Sequence, residues 1–339
     1  MATKMTHRFL GDSGLLVSKL ALGSWFIPDP TNTVDNWYAV MKTAFEHGIN
    51  FYDTAENYDA GNAEVLLGGA IEKGINEGIW TREDLVISTK LFTSLKKLKL
   101  DYVDVLMCHR SEKATPLEET VRAMNFIINQ GWAFYWGTSE WSSADIKEAC
   151  DIADRLGLIR PIVEQPQYNI FERSKVEFEY ADLIKKNKLG LTVWSPLDRG
   201  VLSGKYNAVD TNADLSLIRA FVKNFDAKVE KTRLLEPIAD KIGCTLAQLA
   251  IAWCVSNENV STVLLGARNS SQLEETLKAL AFVDKLTPEV KSEIDAIVQF
   301  VPELSAPDVF YTIRERHLVE VQEEVPSWTQ ITNPTNNSQ

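Results

Sequence analysis

Residues 103–138 read VDVLMCHRSEKATPLEETVRAMNFIINQGWAFYWGT, and the order of their parts decides the fold. An apolar run rich in β-branched residues starts at Val103 and is followed by Thr115-Pro116-Leu117-Glu118. That tetrad offers a hydroxyl for an N-cap, a proline suited to a first helical position and acid in the first turn, so a helix is expected over 116–130. A second apolar run then begins at Ala133. A strand, a helical crossover and a second strand starting about 30 residues after the first make a parallel βαβ unit.

The same unit recurs in both directions. Eight short apolar runs begin near Lys19, Ile49, Leu85, Val103, Ala133, Pro161, Gly190 and Thr262, and four of the seven intervals between starts fall between 28 and 30 residues. Eight strand-plus-helix units are what close a (β/α)₈ TIM barrel, which leaves no sheet edge exposed. The alternative is an open doubly wound sheet, but no GxGxxG follows the first run.

Several segments depart from the rhythm. Arg8 to Gly23 places Gly-Asp-Ser-Gly between two alternating runs, an N-terminal β-hairpin able to plug one mouth of the barrel. The third unit is shortened: 13 residues separate Thr89 from Val103, enough for a turn or two of helix over Thr93 to Leu98. Before the eighth run lies an excursion from Asp198 to about Thr232, read as a loop over one end of the barrel, and then a helix over 245–256. Further helices are expected over 62–73, 272–280 and 288–298. The barrel is expected to occupy residues 1–318, followed by a polar, disordered tail over 319–339.

Composition bounds the function. The chain has 339 residues, 45% of them hydrophobic, with a net charge of −12. That acid excess argues against nucleic-acid binding and against direct membrane insertion, and it requires local cations if the ligand is an anion. Cys108, Cys150, Cys244 and Cys254 lack zinc or redox spacing, so no metal site is expected and a cytoplasmic setting suits the thiols. No 18-residue apolar stretch and no apolar secretory core occur.

In a barrel of this kind chemistry gathers at the C-terminal strand ends. Those ends deliver Asp53 with Tyr58 five residues on, Lys90, His109, Ser139, Gln165, Trp194 with Ser195, and Gly266 with Arg268. An ammonium beside a phenol lowers the phenol's pKa toward neutrality, and a carboxylate holds the ammonium in place. Tyr58 would then protonate a carbonyl oxygen, with Asp53 and Lys90 tuning it and His109 orienting that oxygen. Each residue alone has a plainer reading: Asp53 as a helix cap, Tyr58 as rim packing, Lys90 as solvated, His109 as structural. By residue type Trp25 and Trp194 read as core aromatics.

The stretches INFYDTAENY, ISTK, DYVDVLMCHR, YWGTSEW, VEQPQYN, TVWSPL, GVLSGKY and LLGARNSSQLEE resemble the aldo-keto reductase superfamily, from Arg8 to about Val298. ETVRAMNFIINQGWAFYWGTSEW and SPLDRGVLSGKYN are most similar to its potassium-channel β-subunit branch. The resemblance implies a TIM barrel holding NADPH/NADP+ across its mouth and reduction of a small aldehyde or ketone to an alcohol, with Tyr58 as proton donor. It further implies that Gly23, Ser24, Trp25 and Asp53 border the cofactor and that Ser139 and Gln165 hold its carboxamide. Trp194 would stack on the nicotinamide, and Ser195, Pro196 and Leu197 would line the pyrophosphate path. Lys205 and Arg268 would meet phosphates, with Gly266, Gln272 and Glu275 around the adenosine end.

Two departures from that family stand out. About twenty residues, most of the third barrel helix, are missing between Phe92 and Thr93, which would leave a groove on the barrel's outside. Asp198-Arg199 stands where relatives place small residues; the two either pair with each other or set a carboxylate against the cofactor. An NADPH-dependent carbonyl reductase is the leading expectation. Its alternative is a regulatory β subunit, a homotetramer that binds NADPH beneath a potassium-channel α subunit and turns over slowly.

Overall fold

The computed structural model describes residues 4–25, 32–90, 94–112, 115–207 and 215–303. A hairpin of β1 (His7–Phe9) and β2 (Leu16–Ser18) precedes eight parallel strands. These are β3 (Leu20–Gly23), β4 (Phe51–Asp53), β5 (Val86–Lys90), β6 (Val103–Cys108), β7 (Ala133–Ser139), β8 (Val163–Gln165), β9 (Gly190–Val193) and β10 (Thr262–Leu265). They follow one another around a closed barrel, β10 pairing back onto β3. Every expected run starts within two residues of an observed strand.

Strand alternation divides the core in two. On β6, Val105 and Met107 join Ala21, Phe51, Val86, Val163 and Leu264 in one cluster, while Leu106 faces the larger cluster shared with the helices. Leu10 and Val17 of the hairpin segment belong to the first cluster and are fully buried. Gly11 lies against the chain just before β8 and β9: a Cβ there would stand 2.2 Å from the carbonyl oxygen of Ile162 and 2.8 Å from the nitrogen of Gly190. The hairpin therefore closes the N-terminal mouth and leaves the C-terminal mouth for chemistry.

The first helices are α1 (Val34–Glu46), α2 (Asn62–Asn76), α3 (Ser94–Leu98), α4 (Leu117–Asn129) and α5 (Ser143–Leu156). One boundary corrects the sequence reading. Pro116 sits at the cap position in an extended conformation, the helix begins at Leu117, and no side chain caps it. Pro116 itself stays out of the helix with a ψ of 130° and takes the cap position, so Thr115 stands one residue too far back to act as the cap.

The third unit is short as expected, and α3 has five residues. It docks on α2 at Gly68, where a Cβ would come within 2.5 Å of the Leu98 carbonyl oxygen. Beside this contact lies a cavity of about 120 Å³ lined by Gly68, Ile71, Ile75, Leu98 and Leu100 among others. It lies between α2 and the short α3. An ion pair of 2.7 Å between Lys99 and Glu72 lies at its rim.

The remaining helices are α6 (Ala181–Asn187), α7 (Ser216–Phe221), α8 (Phe225–Leu234), α9 (Glu236–Ile242), α10 (Leu246–Val255), α11 (Ser270–Leu277) and α12 (Pro288–Val298). The excursion expected as a loop over 198–232 is partly helical, because α7 and most of α8 fall within it. Val222, Phe225 and Val229 are buried there and give the segment its own packing. α10 is apolar except for Gln248 and buried from Gln248 to Val255, under a capping box of Thr245 and Gln248. Among the described residues no single helix is long and apolar enough to cross a membrane. The boundary expected at 318 and the tail beyond it lie outside the described residues.

Candidate active site

At the C-terminal mouth β4 ends in Asp53 and β5 in Lys90, on neighbouring strands. Lys90 is fully buried and its Nζ donates to Asp53 Oδ2 at 2.7 Å and to the Thr54 carbonyl at 2.9 Å. The other carboxylate oxygen of Asp53 accepts from Gln165 Nε2 at 3.0 Å. Tyr58 follows in a tight turn, Tyr58–Gly61, where Asp59 and Ala60 take left-handed backbone angles. Lys90 Nζ lies 5.0 Å from the centre of the Tyr58 ring. The His109 ring meets the Tyr58 ring edge-on, centroids 5.8 Å apart. Four residues from three adjacent strand ends thus come together.

Burial dominates the electrostatics. Tyr58 is partly exposed as a residue, but its phenol group is enclosed. That burial raises the phenol pKa; the Lys90 charge and hydrogen bond and the Arg110 charge pull it down without reversing the direction. This corrects the expectation of a phenol tuned toward neutrality: in a dry site, removing water from a phenolate costs more than one ammonium returns when that ammonium is shared with Asp53. Lys90 shows the opposite balance. Burial alone would lower its pKa, but Asp53 and Tyr58 outweigh it and the net direction is up.

Around this cluster, Ser24 is buried, its hydroxyl donating to Thr54 Oγ1 at 2.8 Å, and its amide bonds the Asp53 carbonyl at 2.9 Å. Gly23 pairs with Asp53 across β3 and β4, and a Cβ on it would meet only ordinary contacts. Trp25 is 49% exposed and so is not a core aromatic, while Trp194 is half-buried and packs against the inner cluster. Ser139 Oγ donates to the Gln165 carbonyl at 3.1 Å and accepts from Arg110 at 3.3 Å. Arg110 did not figure in the sequence reading. Its signal was its place one residue after His109, at the end of the same strand.

The seventh strand end is organised by Glu140. Its Oε1 accepts from Trp194 Nε1 at 2.9 Å and from the Gln167 amide, while its Oε2 pairs with Lys175 at 2.8 Å. Ser195 adopts a left-handed backbone, Pro196 is buried and Leu197 packs against the core. Asp198 does not pair with Arg199. It is buried and bound by Lys228 at 2.9 Å, because Lys228 of α8 reaches under the turn and takes Glu172 as well. The Arg199 guanidinium lies 5.4 Å from the centre of the Trp194 indole instead. Lys205 has its ammonium 4.7 Å from the Tyr206 ring centre and makes no ion pair among the described residues.

The eighth strand leads through Gly266 to exposed Arg268 and the start of α11. Asn269 caps that helix, its side chain accepting from the Gln272 amide at 2.9 Å, and Gln272 returns its side-chain oxygen to the Arg268 amide at 2.8 Å. Glu275 holds Gln248 at 2.8 Å and pairs with Lys278. Gln272 and Glu275 are thus engaged within the fold.

Residues 19–299 match the family model described as aldo/keto reductase family. The chain belongs to that family. It is 46% identical over 325 residues to a probable voltage-gated potassium channel subunit beta of Arabidopsis thaliana, covering 88% of this chain and 98% of the relative. A protein of the same description from Oryza sativa subsp. japonica is 45% identical over the same shares. This aldo/keto reductase therefore aligns with those relatives over nearly their whole length.

Proposed function

We propose that this aldo/keto reductase reduces a small aldehyde or ketone with NADPH, using Tyr58 as proton donor. The observation that supports it best is the enclosed cluster of Asp53, Lys90, Tyr58 and His109. A phenol whose pKa is held up keeps its proton through the neutral range, so it can hydrogen-bond a carbonyl oxygen and give up that proton as the oxygen gains charge. Lys90 then stabilises the phenolate left behind, and Asp53 keeps the ammonium charged and aimed. His109, whose ring meets that of Tyr58 edge-on, would orient the carbonyl by a hydrogen bond to the same oxygen.

The donor set suits a phosphate-bearing dinucleotide. Arg199 Nε is buried without a hydrogen-bond partner, and Lys205 is unpaired among the described residues; these are the local cations that a chain of charge −12 needs. Trp194, fixed by Glu140, offers an indole face, and Ser139 and Gln165 stand beside Asp53 with amide and hydroxyl groups. The nicotinamide, when bound, supplies the hydride; the residues bind, orient and move the proton. Gly23, Ser24, Trp25, Ser195, Pro196, Leu197, Gly266, Arg268, Gln272 and Glu275 complete the proposed cofactor surround. NADPH oxidation with a panel of simple aldehydes tests this reading, and folded protein that oxidises no NADPH with any of them contradicts it.

The names carried by the two plant relatives favour a second reading, a potassium-channel β subunit; in that reading the chain would bind NADPH as a cytoplasmic homotetramer. Retained NADPH, slow turnover and co-purification with a channel's cytoplasmic domain would support it.

A further inference from the structure

Both ends of the turn that carries Tyr58 are tied to the end of β5. Before it, the Glu56 amide donates to the Lys90 carbonyl at 3.2 Å. After it, Glu64 in the first turn of α2 is 0% exposed, and its Oε1 accepts from the Thr89 hydroxyl at 2.7 Å. Between these ties Asp59, Ala60 and Gly61 run through three consecutive left-handed conformations, with φ of 49°, 51° and 93°. Only glycine takes that conformation freely; Asp59 and Ala60 keep it where their surroundings hold them to it.

The five-residue α3 supplies such a hold. Ser94 Oγ lies 3.2 Å from the Thr89 hydroxyl, and Lys97, three residues on, has its Nζ 3.6 Å from Glu64 Oε2. That oxygen is buried with no hydrogen-bond partner among the described residues, so the ammonium answers its charge by proximity. The same side chain rests on Gly61: a Cβ there would stand 2.7 Å from Lys97 Nζ and 3.2 Å from its Cε. One lysine thus compensates a carboxylate that is costly to bury alone and fills the space beside the last residue of the turn.

We propose that Lys97 is a positioning residue for Tyr58, clamping the left-handed turn against Glu64 and the end of β5. This rests on the reading that Tyr58 gives its proton to the substrate. A phenol on so short a turn moves with it, and a displacement of about 1 Å at a reacting group costs roughly 10²-fold in rate.

Lys97→Met and Lys97→Arg, each alone and with Tyr58→Phe, test the assignment by aldehyde reduction, NADPH titration and hydrogen exchange of the amides of residues 56–64. Lys97→Met is expected to lower kcat by about 10–100-fold with KM and NADPH affinity held, and to speed exchange in the turn while leaving the barrel strands unchanged. Lys97→Arg should recover much of both losses. In the Tyr58→Phe background Lys97→Met should cost no more than about twofold, since the donor it positions is gone. Adding Glu64→Gln to Lys97→Met removes the stranded carboxylate; this pair should regain stability with kcat still low, and it carries the test if Lys97→Met alone fails to fold. An unchanged kcat, an unchanged exchange in the turn, an equal loss in both backgrounds, or a kcat restored by Glu64→Gln would each overturn the proposal. Wild type that reduces no aldehyde would overturn the proposed function and this inference with it, whereas an active wild type matched by Lys97→Met would overturn this inference alone.

Discussion

Lys90 and Asp53 form an ion pair of 2.7 Å in which the side chains are 0% and 3% exposed. Such a pair is worth little against an apolar replacement of both, but removing one partner strands a buried charge. Lys90→Met is expected to lower stability by about 3–5 kcal/mol. Adding Asp53→Asn to Lys90→Met should recover part of that loss, because the stranded carboxylate is gone. Urea unfolding of the two variants measures this, and additive losses would argue against the pair.

The carboxyl of Glu164, next to Gln165, is fully buried, and burial raises its pKa to about 8 against the opposing pull of the Lys175 charge and the Thr138 hydroxyl. Since the folded pKa lies above the unfolded one, the folded state binds the extra proton. The associated stability is complete below about pH 4.5 and is lost as pH rises through about 8. Glu164→Gln should therefore unfold with a flatter pH dependence between those limits, the difference reaching a few kcal/mol. Parallel stability curves for the two proteins would contradict the buried, proton-holding carboxyl.

Gly68 lets the five-residue α3 lie directly on α2. Gly68→Ala forces the Leu98 backbone outward, an overpacking cost of about 1–3 kcal/mol that outweighs alanine's better helix propensity. Gly69→Ala meets only the side chain of Val34 and should cost less. Thermal unfolding of the two variants gives the order, and Gly69→Ala as the worse of the pair would contradict the docking contact.

Arg268 stands exposed at the head of α11, and in the proposed cofactor reading it would meet the adenosine 2′-phosphate. Arg268→Ala should weaken NADPH about tenfold or more while leaving NADH little changed. Direct titration with both dinucleotides decides it, and equal losses would remove the 2′-phosphate assignment.

The barrel was legible because each strand carries its own apolar run and each crossover its own helical period; the strands starting at Val103, Ala133, Gly190 and Thr262 begin where the runs do. The meeting of Asp53 with Lys90 was legible for the same reason, since adjacent parallel strands bring their ends together. What the sequence hid was competition among partners. Asp198 and Arg199 are neighbours in the chain, yet Lys228, thirty positions away, takes the carboxylate. The sign of the Tyr58 shift was hidden likewise, because it depends on how much water the fold removes rather than on which charges are present. Thr115 failed as a cap for a local reason, that Pro116 keeps an extended ψ and so delays the helix start to Leu117.

The most direct test of the account is the turnover of Tyr58→Phe on a simple aldehyde, measured together with its NADPH affinity. Loss of the proton donor should cost about 10²–10⁴-fold in carbonyl reduction with NADPH binding held, since the ring and its contacts remain. Undiminished reduction by Tyr58→Phe would contradict the role given to the phenol.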